Sequence, residues 1–578
     1  MKWTMNQMIL LPISVFACCV ALSAQEAKPA AQTKRFDLAA FSPHADGVTD
    51  DTPALTRCLE AAAKAGGGTV VIPPGDYFVS GNKPVPLASR TTVSAYGAKF
   101  HLPEKLGDQA RVVVFSGQDV CDFNWFGGHF AGRCFDTKRD DNTWEPNVNT
   151  RMILVTTSPG GRTEGLTFRD ISSGRIAGAV VSVHGAAKAR SESEVETFAR
   201  NVTVDNCTLL ESGKFMWDYG YLWQITVWPE DYTPQERAVA AKYFRNDLVI
   251  GPMRMAAGDD RVVFDNAKPL PVSQVREGRD AERGLDSICF FGDALPSNLV
   301  RGKQYFVVES TKKFIRIAEK PLGTSIRFQT AAGPQAKLMH KLFAAHPSLY
   351  APKGSGPGKG GVDITCAQGV RITGCKLSAL GDTMHVQRCH NVVFANNQIL
   401  GSRMGAFFIA EFCKNVTVTG NTVDGTNGSR VMSVEKSAED VTIIGNTFRN
   451  GGRGSWINQP RNLVLQGNVF INNTTKCEHD PRRGRRSFVT GDYETYAELY
   501  FTTHEPNGRY GNVIVRDNIF VTGAEASHAI RFQSGGDTLL VTGNLFRGGK
   551  RTVEVESGCT NVILRDNVGM EKPPTKKN

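Results

Sequence analysis

The sequence predicts an all-β fold: a right-handed parallel β-helix with an amino-terminal capping helix and an inserted β-rich, barrel-like module. Three observations predict it: a strand-and-turn unit that recurs at nearly regular intervals, a helix signature ahead of the first strands, and a middle region that interrupts the repeat. The chain has 578 residues and 58 glycines. Frequent glycine suits short strands joined by tight turns, and a chain this long needs several domains or an elongated repeat.

The recurring unit is an alternating apolar strand followed by asparagine or a small residue. Successive copies begin at Val370, Val392, Val416, Val441, Leu463, Val513, Leu539 and Val562, and an earlier copy starts at Val202. Alternation gives each coil one inward and one outward face. The interval from Leu463 to Val513 is about twice the others and holds either an extra turn or a long insertion. We expect asparagines to stack at the bends and satisfy polar groups there: Asn397, Asn421, Asn446, Asn468, Asn518, Asn544 and Asn567.

A helix signature precedes the first strands. Asp50, Asp51 and Thr52 can cap a helix that begins at Pro53, and Gly66–Gly68 end it. Such a helix would cover the apolar end of the stack, which a solenoid needs.

The middle of the chain breaks the rhythm. A capping box at Thr233 with proline in the next position predicts a short helix through Phe244. Alternation at 304–309, 314–318 and 324–329 predicts antiparallel strands. We therefore divide the chain into a signal (1–24), an amino-terminal β-helix part (35–228), an inserted module (229–352) and a carboxy-terminal β-helix part (353–570).

The segment Met1–Ala24 resembles an export signal. Lys2 precedes an apolar stretch, and small residues follow it. We expect a secreted or periplasmic protein, with lipid attachment at Cys18 as the weaker alternative. The stretch is too short for a membrane span, and no later segment is apolar enough to provide one.

Composition excludes other classes. Of 13 cysteines, the eleven outside the signal lack the paired spacing of zinc sites. Cys389, Cys413 and Cys559 each lie at the same short distance before a strand, so we interpret them as buried thiols stacked within the repeat. The net charge of +10 is spread along the chain and mildly favours an anionic partner. It is not the footprint of a nucleic-acid-binding protein.

In parallel β-helices, neighbouring coils present side chains in rows about 4.8 Å apart. If Met384 and Val386 point inward, His385 and Gln387 point outward. The corresponding outward pairs are then Ile409 with Glu411, Ser433 with Glu435, and Trp456 with Asn458.

This row gathers carboxylates suited to breaking a glycosidic bond, which takes an acid and a base or nucleophile. We predict Asp382, Glu411 and Glu435 as catalytic residues. The residues predicted to bind substrate are Asp363, His385, Arg403, Arg430, Trp456, Trp217 and Asp218. No metal or cofactor is expected. The alternatives are a solvated face whose carboxylates pair with Arg or Lys, and a tryptophan that packs without touching sugar.

Two stretches resemble a known superfamily. His44–Gly81 is similar to the opening of pectate-lyase-type β-helix proteins, and 359–387 resembles their polygalacturonase-like branch. The resemblance implies that Asp382 is the general acid. However, three residues of that branch are missing: its second Asp is Thr383 here, its earlier Asp is Gly360, and its Lys is Met432. Ordinary pectin hydrolysis is therefore not expected. The overall layout of the chain also resembles that of the β-helix α-galactosidases, which carry an inserted barrel.

Three functions follow for a polysaccharide or oligosaccharide partner. The first is a secreted glycoside hydrolase acting on a polysaccharide or host glycan, a galactoside among the candidates. The second is a polysaccharide lyase on a uronate-containing or otherwise anionic glycan. There, a basic side chain removes the proton beside the carboxylate, and a cation neutralises the charge. The third is a non-catalytic glycan-binding solenoid, because fold alone does not dictate activity.

Overall fold

The structure is a computed structural model. It describes residues 34–103, 111–132, 149–176, 178–188, 194–213, 249–250, 253–264, 270, 272–274, 287–291, 294–301, 303–340, 359–379, 382–402, 405–425, 430–452, 454–474, 497–503, 508–523, 528–549 and 551–570. Several predictions lie outside these residues: the signal with Cys18, the helix through Phe244, and the site residues Trp217, Asp218 and Arg403.

Three long parallel sheets form the solenoid, which confirms the predicted β-helix. Each full coil visits sheets A, B and C in turn. The strands of sheet A are Arg35–Asp37, Gly68–Val71, Thr91–Ser94, Cys121–Phe126, Glu164–Arg169, Ala199–Asp205, Ala367–Thr373, His390–Ala395, Lys414–Thr419, Glu439–Ile444, Arg461–Gln466, Tyr510–Arg516, Gly536–Thr542 and Thr560–Arg565. Those of sheet B are Asp46–Asp50, Gly75–Phe78, Ala98–His101, His129–Ala131, Ser172–Gly174, Thr208–Ser212, Lys376–Ala379, Gln398–Ser402, Thr422–Asp424, Thr447–Arg449, Val469–Ile471, Ile519–Thr522 and Leu545–Gly548. Those of sheet C are Val85–Pro86, Arg111–Gln118, Asn149–Thr156, Gly178–His184, Lys359–Thr365, Asp382–Gln387, Gly405–Ala410, Arg430–Val434, Ser455–Asn458, Ala497–Thr502, His528–Phe532 and Arg551–Val555.

The amino-terminal helix spans Thr52–Lys64, and a 3-10 turn at Leu38–Phe41 precedes it. Asp50, not Asp51, bonds to the first turn: its Oδ1 accepts from the Thr52 backbone nitrogen at 3.0 Å. The Asp51 carboxylate accepts instead from the backbone nitrogens of His44 and Ala45. The buried face of the helix joins the core of the solenoid, as a cap requires.

An inserted β-rich module interrupts a single coil. The strands Ala199–Asp205 and Ala367–Thr373 pair directly although they lie far apart in the chain. Between them lies a six-stranded antiparallel sheet with its own apolar core. Its strands are Val249–Ile250, Arg261–Val263, Ser287–Phe291, Gln304–Ser310, Phe314–Ala318 and Lys337–His340, and a small hairpin, Ala186–Ala187 with Val195–Thr197, precedes it. The limits 229 and 352 stay a prediction.

The prediction of a strand at 324–329 is wrong. Its backbone bonds are isolated: the Ile326 N–H donates to the Ile317 carbonyl, the Phe328 N–H donates to the Asp259 carbonyl, and the Phe328 carbonyl accepts from the Gly258 N–H. A continuous ladder does not form, and the alternation instead buries Phe328 in the module core with Ile326 packed against it.

The asparagine ladder is confirmed. The side-chain amide of each asparagine from Asn397 to Asn544 donates to the side-chain oxygen of the next, at 2.8–3.0 Å. The same oxygen also accepts the backbone N–H of the preceding asparagine, as in Asn421 to Asn446. The long interval between Leu463 and Val513 is an insertion, because the strand at Arg461–Gln466 pairs directly with Tyr510–Arg516.

Two cysteines occupy the same turn position in earlier coils. Asn421 Nδ2 donates to the carbonyl of Thr419, just before it, and to one in the preceding coil. Cys207 and Cys375 direct their sulfurs to equivalent pairs of carbonyls, at 3.3–3.8 Å. All nine cysteines in the described ranges are free thiols. These two therefore substitute for asparagine in the ladder and are not bridged.

Four long connections lie at one corner, between sheets B and C. They join His101 to Arg111, Ala131 to Asn149, Ser212 to Lys359 and Ile471 to Ala497, while the connection that carries the small hairpin runs from sheet C to sheet A. The A-to-B turns, by contrast, are short. The outer face of sheet C therefore starts beside the variable part of the chain, which is where scaffolds carry binding groups. No helix among the described residues is long and apolar enough to cross a bilayer.

Candidate functional site

An outward column on sheet C carries the candidate chemistry. Register pairs Asp363 with His385, and the column continues through Phe408, Ser433, Trp456 and Tyr500. Placing Ile409 in it was wrong, because Ile409 is fully buried in the core. The coil of Phe408 has one extra residue before Cys413, and both Glu411 and Phe412 have positive φ. This irregularity shifts the count by one.

Asp363 is the centre of the site. It is 3% exposed, and both of its oxygens are occupied. Oδ1 lies 2.8 Å from His385 Nδ1, while Oδ2 lies 2.5 Å from the Arg151 guanidinium and 3.2 Å from His184 Nε2. Burial opposes ionisation, but the Arg151 charge and the bonds from the two histidines outweigh it, so the pKa of Asp363 lies well below its usual value. This carboxylate is therefore ionised at neutral pH, and its bonds orient its neighbours.

The anion fixes the protonation of His385. A carboxylate without a proton only accepts, so Nδ1 of His385 carries the hydrogen, and a neutral ring then has an unprotonated Nε2. Burial and the nearby positive charge of Lys359 lower the pKa of His385 below 6.5. At neutral pH the side chain is thus an oriented, uncharged imidazole. This is the state that a general base requires.

Lys359 and Asp382 form the adjacent pair. Lys359 Nζ lies 2.7 Å from Asp382 Oδ2 and 5.1 Å from the centroid of the Phe408 ring. The other carboxylate oxygen, Oδ1, is buried without a hydrogen-bond partner. The site thus combines an oriented imidazole, a cation and an unused carboxylate oxygen.

Glu411 is held by positively charged and amide groups. Its carboxylate accepts from Gln387 at 2.7 Å and pairs with Arg388 and Lys436. Burial would raise its pKa, but the Lys436 charge and these bonds lower it below the usual value. A general acid must hold a proton near neutral pH, which this environment opposes. The contacts match the alternative of paired, structural carboxylates; its catalytic role stays a prediction.

Glu435, Arg430 and Trp456 form a second group along the column. Arg430 Nη1 lies 3.7 Å from Glu435 Oε1, and its guanidinium carbon lies 4.6 Å from the Trp456 ring centroid. Trp456 is 3% exposed and meets Tyr500 edge to face. Because a guanidinium already covers the ring, sugar stacking on Trp456 would need Arg430 to move. The predicted roles of these three residues stay predictions.

Comparison with known proteins gives short or distant likenesses. The family described as "Periplasmic copper-binding protein (NosD)" matches residues 353–481, under a quarter of the chain. Two Azotobacter vinelandii proteins match locally: alginate lyase 7 is 56% identical over 41 residues, and mannuronan C5-epimerase AlgE5 is 51% identical over 43. Each match covers 7% of this chain, and 5% and 4% respectively of those proteins.

Solved structures align over most of the chain at low identity. The A-module of A. vinelandii mannuronan C-5 epimerase AlgE6 is 13% identical with a TM-score of 0.44, covering 92% of this chain and 100% of that one. Endo-xylogalacturonan hydrolase from Aspergillus tubingensis is 12% identical with a TM-score of 0.40, over 93% and 97%. The Streptococcus pneumoniae adhesin PfbA is 12% identical with a TM-score of 0.43, over 90% and 91%.

The name of the matching family raises the question of copper. Among the described residues no group of three His, Cys, Asp or Glu side chains is arranged to hold a metal ion. We therefore derive no step through copper.

Sequence reasoning missed Arg151, His184, Lys359 and Phe408. Arg151 and His184 lie in coils before Val202, where the repeat unit is hard to recognise. Phe408 was displaced by the one-residue shift in its coil. Their common signal is an outward position on sheet C, which only the register of the strands reveals.

Proposed function

We propose that this protein is an exported polysaccharide lyase that acts on a uronate-containing glycan, with His385 as the general base. The observation that carries the proposal is the Asp363–His385 pair: a buried carboxylate, ionised at neutral pH, holds a neutral imidazole in place, with a lysine nearby. Removing the proton next to a sugar carboxylate needs this combination of base and cation.

The chemistry can be written for each group. His385 takes the proton from C5, beside the substrate carboxylate. The electron pair forms the C4–C5 double bond, and the C4–oxygen bond of the glycosidic link breaks, so that the departing sugar leaves with that oxygen. This oxygen takes a proton from water, and His385 returns the C5 proton to solvent. Lys359 stabilises the charge that develops on the carboxylate. Asp363 is a positioning residue, because its oxygens are occupied by Arg151, His184 and His385.

Other observations support the same class. The net charge of +10 favours an anionic partner. The locally matching proteins are named as an alginate lyase and C5-epimerases. Elimination and inversion at C5 share one first step, the removal of the C5 proton. Hydrolysis needs two carboxylates with a free oxygen each, and among the described candidates Asp363, Glu411 and Glu435 are engaged by cations.

The test is a pair of assays on the same samples. Uronate polymers with mannuronate, guluronate, galacturonate or glucuronate backbones are incubated with the protein, and ultraviolet absorbance of unsaturated products is measured beside new reducing ends. We expect both signals to rise together. His385→Gln should lower the rate by about 100-fold or more. His390→Gln, a histidine on sheet A away from the site, is the matched control and should retain the wild-type rate.

Reducing ends without absorbance would refute elimination and would favour hydrolysis through Asp382. Binding without products would favour a glycan-binding solenoid. An active His385→Gln variant beside an inactive His184→Gln variant would place the base at the other histidine and overturn the assignment.

A further inference from the structure

The starts of neighbouring sheet C strands form a second column beside the catalytic one. Register aligns Lys359, Asp382, Gly405 and Arg430 on successive coils. Lys359, Asp382 and Arg430 carry charged side chains, whereas Gly405, between Asp382 and Arg430, has no side chain. Coils lie about 4.8 Å apart, so Asp382 and Arg430 flank the glycine at about 10 Å from each other along the backbone.

The two charged neighbours of the glycine have unused hydrogen-bonding capacity. Asp382 Oδ1 is buried and has no partner, while Lys359 holds only Oδ2. Arg430 Nε is also buried without a partner, although its guanidinium reaches Glu435 and Trp456. A buried charged group with an unmet hydrogen bond is costly, so such a group calls for a partner, such as a water, an ion or a ligand, or for a functional role.

The glycine controls the space next to the free oxygen. A Cβ at Gly405 would lie 3.7 Å from Asp382 Oδ1 and 3.2 Å from the Phe408 ring. A donor that bonds to Oδ1 must come within about 3 Å of it, where a methyl group would obstruct it. The φ of Gly405 is not in the left-handed region, so its backbone conformation does not by itself require glycine.

We propose that Gly405 is a specificity-determining residue: it keeps open a sugar subsite in which a substrate hydroxyl donates to Asp382 Oδ1 and an acceptor oxygen of the same sugar bonds to Arg430. The subsite takes a uronate residue next to the bond at His385, which presents both a hydroxyl donor and a carboxylate acceptor. The identity of that sugar as a uronate rests on the proposed function. The geometry of the subsite does not.

The subsite lies beside the base. Asp382 belongs to the same strand as His385, and Gly405 to the strand that carries Phe408. Asp382 and His385 are separated by about 10 Å along the strand, which leaves room for a second sugar beside the one at His385. Phe408 then lies between the two sugars as an apolar surface, which is a common use of aromatic rings in glycan sites.

The experiment measures binding, so that it does not depend on turnover. The full chain carrying His385→Gln is titrated calorimetrically with hexasaccharides of mannuronate, guluronate and galacturonate, and with neutral mannose and galactose hexasaccharides. Gly405→Ala is added to the same background. Gly174→Ala is the matched control, because its added Cβ meets nothing within 4 Å on sheet B.

We expect Gly405→Ala to weaken the binding of a uronate hexasaccharide by about tenfold or more, the loss of one hydrogen bond to a charged group. Gly174→Ala should change it less than about twofold. Asp382→Asn should also weaken binding, which covers the case in which the alanine variant fails to fold. Thermal melting of each variant shows whether a loss is specific.

Each outcome decides one of the two claims. Uronate binding that Gly405→Ala and Asp382→Asn leave intact would overturn the subsite while leaving the lyase proposal standing. Binding restricted to neutral hexasaccharides, yet sensitive to Gly405→Ala, would support the subsite and contradict the uronate lyase. If the parent protein binds none of the hexasaccharides at millimolar concentration, the subsite is overturned.

Discussion

Removing one member of the asparagine ladder should be among the most destabilising single changes in the solenoid. Asn446 is 1% exposed, and its side chain takes part in five hydrogen bonds. Its oxygen accepts twice from Asn421, and its amide donates to Val418, Ile444 and Asn468. Asn446→Ala deletes all five, so the Asn421 backbone N–H and the Val418 carbonyl lose the partner that Asn446 supplies. The Ile444 carbonyl still accepts from the Gly420 N–H, and Asn468 Oδ1 still accepts from the backbone N–H of residue 446.

The magnitude follows from the value of each bond. A buried hydrogen bond contributes about 1 kcal/mol net, and an abandoned partner costs about as much again. Partial relaxation reduces the sum, so we expect a loss of about 3 to 5 kcal/mol in the free energy of unfolding. Thr442→Ala, an outward position on sheet A in the same coil, is the control and should cost less than about 1 kcal/mol.

The assay is urea unfolding followed by circular dichroism, with the slope checked for equality between variants before midpoints are compared. A cost for Asn446→Ala below about 1 kcal/mol, or equal to that of Thr442→Ala, would refute the reasoning, since it would mean that water or neighbouring turns replace the ladder.

Three other side chains have measurable consequences for stability or rate. Cys375→Asn should raise stability by about 1 kcal/mol, because an amide at this ladder position can also donate to Asn397 Oδ1; a lower melting temperature would contradict it. Burial raises the pKa of Glu498 to about 7. The contribution of its protonated form to the free energy of unfolding is therefore complete below about pH 4.5 and is lost as the pH rises towards 7. Glu498→Gln should accordingly stabilise the protein at pH 8 by up to about 3 kcal/mol and have little effect at pH 4, and equal effects at both pH values in denaturant titrations would count against it. His385 must be deprotonated to act, and its pKa lies below 6.5. The acidic limb of the pH–rate profile should therefore have its midpoint below pH 6.5, and a midpoint above pH 7 would point to another base.

Much of the fold was predictable because its signals repeat. Each ladder asparagine follows an alternating strand at a fixed offset, so a shared position in the sequence implies a shared position in space. The capping helix could also be predicted, from Asp50 and Gly66. In the structure, however, only the Asp50 side chain bonds to the first turn of the helix, and the Asp51 side chain bonds to His44 instead.

The site was predicted only in part, for two physical reasons. A β-strand has period two, so the extra residue near Glu411 moved the predicted row from Phe408 to Ile409. The residues that determine the chemistry of Asp363 also come from distant coils, since Arg151 is 212 positions away in the chain. Asp363, Asp382 and His385 were placed in one group from sequence because adjacent repeats carry them.

The most direct test of the central claim follows the proton at C5 of the substrate. A uronate oligosaccharide is incubated with the protein in heavy water, and nuclear magnetic resonance records deuterium at C5 and signals of a C4–C5 double bond. Removal of that proton by His385 predicts unsaturated product, absent with His385→Gln and present with His390→Gln. Saturated fragments whose C5 keeps its original hydrogen would contradict it.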